Sequence, residues 1–238
     1  MKIALIGYGK MGKTIERIAL QRGHEIVLRI SSSNQNELNK ENLSKADVAI
    51  EFTNPESAFE NVQKCLQFSV PVVCGSTGWN DKLPLAYESC LSNRTAILQS
   101  SNFSIGVNLF FEINALLANM MNQYPEYEVS MDEIHHTHKK DAPSGTAITI
   151  AERILEHLNR KKTWVLTQPN DTSQLSIKVH RVDEVPGTHM VKYSSEIDDI
   201  ELKHTAHNRD GFALGAVVAA EYIMDKQGVF SMKDVLGL

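Results

Sequence analysis

Over the first hundred residues, short apolar runs alternate with stretches of helical spacing. Residues 2–6 (Lys-Ile-Ala-Leu-Ile) form an apolar run with isoleucine at two positions, which predicts a strand buried on both faces. Met11, Ile15, Ile18, Ala19 and Arg22 then recur at helical spacing, Gly23 can end that helix, and 25–30 predict a second strand. Residues 34–45 are a polar connection. Residues 47–52 predict a third strand, Thr53-Asn-Pro55 a turn into a helix over about 56–68, 70–74 a fourth strand and 96–99 a fifth. Strands alternating with helices argue for a parallel sheet with right-handed crossovers.

After Phe103 the pattern changes. Residues 105–121 are a long apolar helix candidate that Pro125 prevents from continuing. Residues 128–134 alternate, with Val129, Met131 and Glu133 on one face. Strands are predicted again at 175–182, 190–194 and 200–207, the last with Ile200, Leu202, His204 and Ala206 on a buried side. Residues 161–173 are polar, contain Pro169-Asn-Asp171 and predict a surface loop. Residues 210–226 return to helix and are expected to pack back on the first domain. The fold class is therefore α/β: a Rossmann-like parallel-sheet domain over 1–103 and 209–238, with an inserted α+β domain over 104–208.

Composition narrows the function. A chain of 238 residues with net charge −5 has no basic excess to suggest nucleic acid or an anionic membrane as partner. Three cysteines (Cys65, Cys74, Cys90) without C-x-x-C spacing point to free thiols in a reducing compartment, and the opening apolar run is too short for a signal peptide or a membrane span. The expected location is the cytoplasm.

The first strand runs directly into Gly7-Tyr-Gly-Lys-Met-Gly12. Strand, G-x-G-x-x-G turn, helix and strand together predict a dinucleotide site, a glycine-rich turn without a ligand being the alternative. Gly7 serves the tight turn, Gly9 the approach of a pyrophosphate and Gly12 close helix–strand packing, while the helix N-terminus offers N–H groups to the phosphates. No acid follows the second strand until Glu37; Arg29 and three serines stand there instead. That set suits a 2′-phosphate and leans the coenzyme to NADPH over NADH, a solvated loop without a recognition role being the alternative. The other strand ends carry Thr53, Gly75-Ser-Thr-Gly78 and Ser100-Ser-Asn-Phe103, small and hydroxylic groups suited to a cofactor trough.

The densest chemistry lies in Glu133-Ile-His-His-Thr-His-Lys-Lys-Asp-Ala-Pro-Ser-Gly-Thr-Ala147. His135 and His136 end a strand and point to opposite sides. Lys139 lies in the loop beyond. Ser144 is a good N-cap for the helix marked by Ala147, Ile148, Ala151, Ile154, Leu155 and Leu158, so Ser144, Gly145 and Thr146 form a first turn able to bind a carboxylate or phosphate. An imidazole can give or take a proton near neutral pH. The residues alone leave open a metal site on His135, His136 and His138, or a charged surface loop; His138 and Lys140 read as solvated.

This segment resembles the signature of the 4-hydroxy-tetrahydrodipicolinate reductase family (dihydrodipicolinate reductase). Gly7-Tyr-Gly-Lys-Met-Gly12, Phe52-Thr-Asn-Pro55, Gly75-Ser-Thr-Gly78, Ser101-Asn-Phe-Ser-Ile-Gly-Val107 and Phe212-Ala-Leu-Gly-Ala216 resemble that family in the same order. The resemblance implies an NAD(P)H-dependent oxidoreductase of lysine and diaminopimelate biosynthesis. By position it implies His135 and Lys139 as proton donors or acceptors, and His136, Ser144, Gly145 and Thr146 as binders of a cyclic dicarboxylate substrate. The cofactor would lie on Gly7, Tyr8, Gly9, Lys10, Met11 and Gly12, with Arg29, Gly75, Ser76, Thr77, Ser100, Ser101, Asn102 and Phe103, and no metal takes part. It further implies substrate-binding and oligomerisation roles for the inserted domain, a homotetramer, and closure about hinges near Phe103 and 207–209. Two departures stand out: the glycine turn is one residue shorter than in many members, and the acid after the second strand is missing. Rival readings are another two-domain reductase, such as an amino-acid dehydrogenase, a dinucleotide-binding redox sensor, or a metal-dependent hydrolase built on the histidines.

Overall fold

The computed structural model of the protein describes residues 1–166 and 168–238. The chain divides into two compact units, Met1–Ile105 with Asp210–Leu238, and Gly106–Arg209.

The first unit is built on β1 (Lys2–Ile6), β2 (Glu25–Ile30), β3 (Val48–Glu51), β4 (Val72–Cys74), β5 (Ala96–Gln99) and β11 (Gly228–Phe230). Their order is β11-β5-β4-β3-β1-β2 and every pairing is parallel. The chain steps from β1 to β2 on one side and then returns to place β3 on the other, so the order reverses at β1. A doubly wound sheet opens its ligand crevice at the strand ends beside such a reversal. The glycine turn follows β1 and Phe52-Thr53 follows β3, and the Phe52 N–H donates to the Ile6 carbonyl (2.8 Å).

Apolar residues of the strands alternate between two cores. Ile3, Leu5, Ile50 and Leu98 pack on one face with α1 (Lys10–Gln21) and α7 (Asp210–Ile223). Ala4, Ile6, Ala49, Val72 and Ile97 pack on the other with α3 (Pro55–Gln67) and α4 (Leu83–Ser92). The return of 210–223 to this unit has a steric condition: a Cβ on Gly215 would stand 1.7 Å from the Phe103 carbonyl oxygen, so α7 can lie there only with glycine.

The second unit holds a mixed sheet of order β10-β9-β6-β8-β7: β6 (Glu128–His135), β7 (Thr163–Val165), β8 (Gln174–Arg181), β9 (Gly187–Ser194) and β10 (Asp199–Ala206). One face of the sheet (Val129, Met131, Leu175, Ile177, Val191, Tyr193) packs with α5 (Ile105–Met120) and α6 (Gly145–His157), through Phe110, Phe111, Ala147, Ile150, Ala151 and Ile154. This is the α/β fold with an α+β insertion that the pattern predicts. Among the described residues no helix is long and apolar enough to cross a membrane.

Three expectations change. The 34–45 connection contains a 3-10 turn at Gln35–Glu37 and the short helix α2 (Lys40–Leu43), anchored by buried Leu38 and Leu43 and capped by the Asn39 side chain. The expected surface loop over 161–173 includes β7 and the buried Lys161 (residue 167 lies outside the described residues). The Lys161 ammonium donates to the Glu128 carboxylate and to the carbonyls of Thr172 and Gln174 (2.8 and 2.9 Å), which satisfies its three donors and lets it be buried. Finally, Ile200 in β10 is exposed, and Leu202, His204 and Ala206 are half-buried, because β10 is an edge strand that the helices only partly cover.

Candidate active site

The site in the second unit is organised around Glu133, which carries no exposed surface. Alternation along β6 turns Val129, Met131, Glu133 and His135 to the same buried side. A buried carboxylate needs partners, and the loop after β6 supplies them. The Ser144 N–H and hydroxyl both donate to Glu133 Oε2 (2.9 and 2.5 Å), and Arg181 of β8 donates to Oε1 (3.1 Å). Burial pushes the Glu133 carboxyl up, but the bonds from Ser144 and Arg181 outweigh it and hold the group below the usual carboxylate range. Arg181 also donates to the Asp141 carbonyl (2.6 Å), and the Asp141 side chain pairs with Lys139 Nζ (2.8 Å). One chain of contacts therefore runs from Lys139 through Asp141 and Arg181 to Glu133 and Ser144.

Two imidazoles complete the cluster. His135 Nδ1 lies 3.9 Å from Glu133 Oε2, buried and without a hydrogen-bond partner. His189 Nε2 lies 3.1 Å from Ser144 Oγ, and the two rings meet edge to face at 5.1 Å. Gly187 makes room for the His135 ring: a Cβ there would stand 3.0 Å from Nε2. Burial lowers the pKa of both histidines, that of His189 to about 4. Both are therefore neutral near pH 7.

An acid sensitivity follows. Unfolded, the His189 imidazole titrates near 6.5; folded, near 4. Between these values the unfolded chain binds the additional proton, so stability falls as pH drops through that window. His189→Asn is expected to flatten a plot of Tm against pH between pH 6.5 and 4, removing a loss on the order of 3 kcal/mol. An unchanged slope would contradict the buried neutral histidine.

The residues singled out by sequence divide into two sets. His135 and Ser144 join the Glu133 cluster. Ser144 also caps α6, its Oγ accepting from the Ala147 N–H (3.1 Å), so its hydroxyl is engaged on the protein side. Gly145 and Thr146 open the helix, Gly145 exposed and Thr146 half-buried. His136 is half-buried just past β6 and Lys139 is partly exposed in the loop. The candidate metal cluster is not His135, His136 and His138. It is Glu133, His135 and His189, whose ligand atoms lie within 4.8 Å of one another. Ser144 already occupies Glu133 Oε2 and faces His189 Nε2, which makes this set a hydrogen-bonded network. Glu133, Arg181 and His189 escape a sequence reading because each looks like an ordinary strand position. The period-two placement of Glu133 on an apolar face is the one local signal.

In the first unit the glycine turn tests its own reading. Gly7 has φ +100° and a Cβ on it would stand 2.0 Å from the Phe52 carbonyl oxygen; one on Gly12 would stand 2.3 Å from the Gly7 oxygen. A Cβ on Gly9 would meet nothing within 4 Å. The protein needs the first and third glycines for its own packing, whereas the space over Gly9 is open to a ligand, as a pyrophosphate requires. Gly9, Lys10, Thr77 and Ser101 are exposed, and Tyr8, Met11, Gly75 and Ser100 are half-buried. Ser76, Asn102 and Phe103 are buried. The Ser76 hydroxyl accepts from the Thr53 N–H (2.8 Å), Asn102 Oδ1 accepts from the Ser104 N–H (2.9 Å), and the Phe103 ring packs on Phe52 (5.7 Å). Arg29 forms an ion pair with Glu16 of α1.

Comparison with known proteins gives the same segments a family. The model for the dihydrodipicolinate reductase N-terminus matches residues 1–103 and that for the C-terminus matches residues 106–236. The chain belongs to the dihydrodipicolinate reductase family. A 4-hydroxy-tetrahydrodipicolinate reductase of Christiangramia forsetii is 50% identical over 237 residues, covering 99% of this chain and 98% of the relative. That of Neisseria meningitidis serogroup B is 34% identical, covering 94% and 84%. Among solved structures, the dipicolinate-bound dihydrodipicolinate reductase of Paenisporosarcina sp. TG-14 shares the fold with a TM-score of 0.80 over 97% of both chains at 24% identity. The amine dehydrogenase of Mycobacterium smegmatis shares it more loosely, with a TM-score of 0.60 at 12% identity over 98% of this chain and 95% of that one.

Proposed function

We propose that the protein reduces 4-hydroxy-tetrahydrodipicolinate to tetrahydrodipicolinate with NAD(P)H, in lysine and diaminopimelate biosynthesis. The observation that carries this reading is the linkage, on one segment, of a cationic proton donor and a helix start suited to a carboxylate. Lys139 lies at one end of the contact chain through Glu133, and Ser144, the N-cap of the turn that carries Gly145-Thr146, at the other.

A bound nicotinamide supplies the hydride for ring carbon C4. Water is lost first across C3–C4, the C4 hydroxyl leaving with a C3 proton, so that hydride addition at C4 leaves an enamine that takes a proton at C3. Lys139 is the donor in this reading, being the ammonium of the network, partly exposed and with its Nζ paired to Asp141. His135 stays neutral through burial and serves as the second proton-transfer group. His136 and the first turn of α6 receive the substrate's carboxylates, and Ser144 fixes that turn by spending its hydroxyl on Glu133 and Ala147. Arg29 and the serines after β2 lean the coenzyme to NADPH, with Gly7–Gly12 the pyrophosphate turn. By its resemblance the enzyme is a cytoplasmic homotetramer.

With substrate made in place by a dihydrodipicolinate synthase, the purified protein should oxidise NADPH, and also NADH, at rates unaffected by excess chelator. Absence of turnover with either coenzyme would overturn the reading. Loss of activity in chelator alone would move the chemistry to a metal at Glu133, His135 and His189.

A further inference from the structure

One hydroxyl fixes the protonation of its neighbours. Ser144 Oγ has one proton and two lone pairs. It accepts from the Ala147 N–H (3.1 Å), and it meets Glu133 Oε2 at 2.5 Å and His189 Nε2 at 3.1 Å. An ionised carboxylate only accepts, so the hydroxyl proton goes to Glu133. The second lone pair then faces His189, whose neutral ring must carry its proton on Nε2 and donate it. His189 is the register partner of Glu133 across β6 and β9, and its ring meets that of His135 edge to face. Carboxylate and imidazole are thus both held beside His135.

We propose that Glu133, so held, is a positioning residue for His135: it keeps the proton of that ring on Nδ1 and so makes Nε2 the atom that exchanges protons with the substrate. This rests on the reading of His135 as a proton-transfer group of the proposed reduction.

His135 Nδ1 is buried, 3.9 Å from Glu133 Oε2. A lone pair on Nδ1 at that distance is repelled by the carboxylate, whereas an N–H is attracted. With the proton on Nδ1, the free lone pair is on Nε2. Gly187 keeps that edge clear, since a Cβ there would stand 3.0 Å from Nε2. When Nε2 takes a proton, the ring becomes an imidazolium whose Nδ1–H faces Glu133. When Nε2 gives the proton up, the neutral ring returns to the same tautomer. A buried carboxylate beside one imidazole nitrogen serves serine hydrolases in this way. The other charged groups acting on the ring are paired, Lys139 with Asp141 and Arg181 with Glu133 Oε1. Oε2 is left to Ser144 and the two imidazoles.

The test reads the tautomer directly, by nitrogen NMR of isotope-labelled histidines in the ligand-free protein with excess chelator, near pH 8, above the range in which histidine titrates. The His135 signals are identified by their loss in His135→Gln. The wild type should show the His135 proton on Nδ1 and the His189 proton on Nε2. Glu133→Gln keeps an acceptor for Ser144 and should retain most of the wild-type stability while showing His135 as a mixture of tautomers. Its kcat should fall by about 10–10²-fold, less than the loss of a general acid–base group itself. The substrate KM and the coenzyme Kd should stay within about threefold of wild type, which separates the proton transfer from binding. A His135 proton on Nε2 in the wild type would overturn the proposal. So would a folded Glu133→Gln protein with the wild-type tautomer and a kcat within about threefold of wild type. Absence of wild-type turnover with either coenzyme would overturn the proposed reduction instead, while the tautomers, read without ligands, still decide the role of Glu133.

Discussion

Lys139→Met is expected to lower kcat by about 10²–10⁴-fold, the usual contribution of a positioned general acid, while coenzyme affinity stays at its wild-type value. Lys139 is partly exposed, and its partner Asp141 is largely exposed. A surface pair of this kind contributes about 0–1 kcal/mol to stability, so the variant should melt with the wild type and the loss should be one of chemistry. Methionine keeps the unbranched stem of the side chain, one atom shorter, and removes the ammonium and its protons. Single-turnover measurement of NADPH oxidation, at saturating substrate, separates the chemical step from binding. A kcat within threefold of wild type would remove Lys139 from the proton transfer and leave His135 as the donor.

The second large effect concerns Glu133. Glu133→Leu leaves the Ser144 N–H and hydroxyl facing an apolar side chain and takes the ionic partner from Arg181. Each buried unsatisfied donor costs about 1–3 kcal/mol, so the two at Ser144 together should cost about 2–6 kcal/mol and lower Tm by roughly 4–24 °C. Arg181 is partly exposed and water can replace its lost bond, which keeps its share small. The damage should also reach function. Ser144 caps α6, and the first turn of that helix is the proposed carboxylate receiver. Glu133→Gln retains an acceptor for Ser144 and should recover most of the stability. The acid limb gives a second readout. The Glu133 carboxyl is held below its unfolded value, so its contribution is complete above the usual carboxylate range and disappears as pH falls through the folded pKa. Gln should remove that dependence. A Glu133→Leu protein melting within about 2 °C of wild type would show that the network is not what holds the turn.

The parts legible in the sequence are those whose cause is local. Two isoleucines in a five-residue apolar run make β1; Ser144 before an apolar stripe makes a capped helix; three glycines at fixed spacing make a turn that only glycine can take at Gly7. Other elements are illegible for reasons just as physical. The helix α4 buries only Ala86 and Cys90 while Leu85 and Leu91 face solvent, so its apolar period is blurred. The final strand β11 has three residues, too few to show a period, and exists because β5 offers it an edge. Lys161 reads as a solvated lysine because its buried partners, Glu128 and two carbonyls, come from other segments.

The candidate site divides along the same line. The sequence by itself determined the alternation of elements, the glycine turn, and a histidine and lysine segment ending in a helix start, since each depends on neighbours within a few residues. Only the tertiary structure decided which groups those side chains meet. Glu133 comes to Ser144 across 11 residues, His189 to Ser144 across 45 and Arg181 to Glu133 across 48. Glu16 stands against Arg29 because α1 packs beside β2. Sheet pairing creates those contacts, and with them the burial and hydrogen bonding that set protonation states. Spacing along the chain carries no record of either.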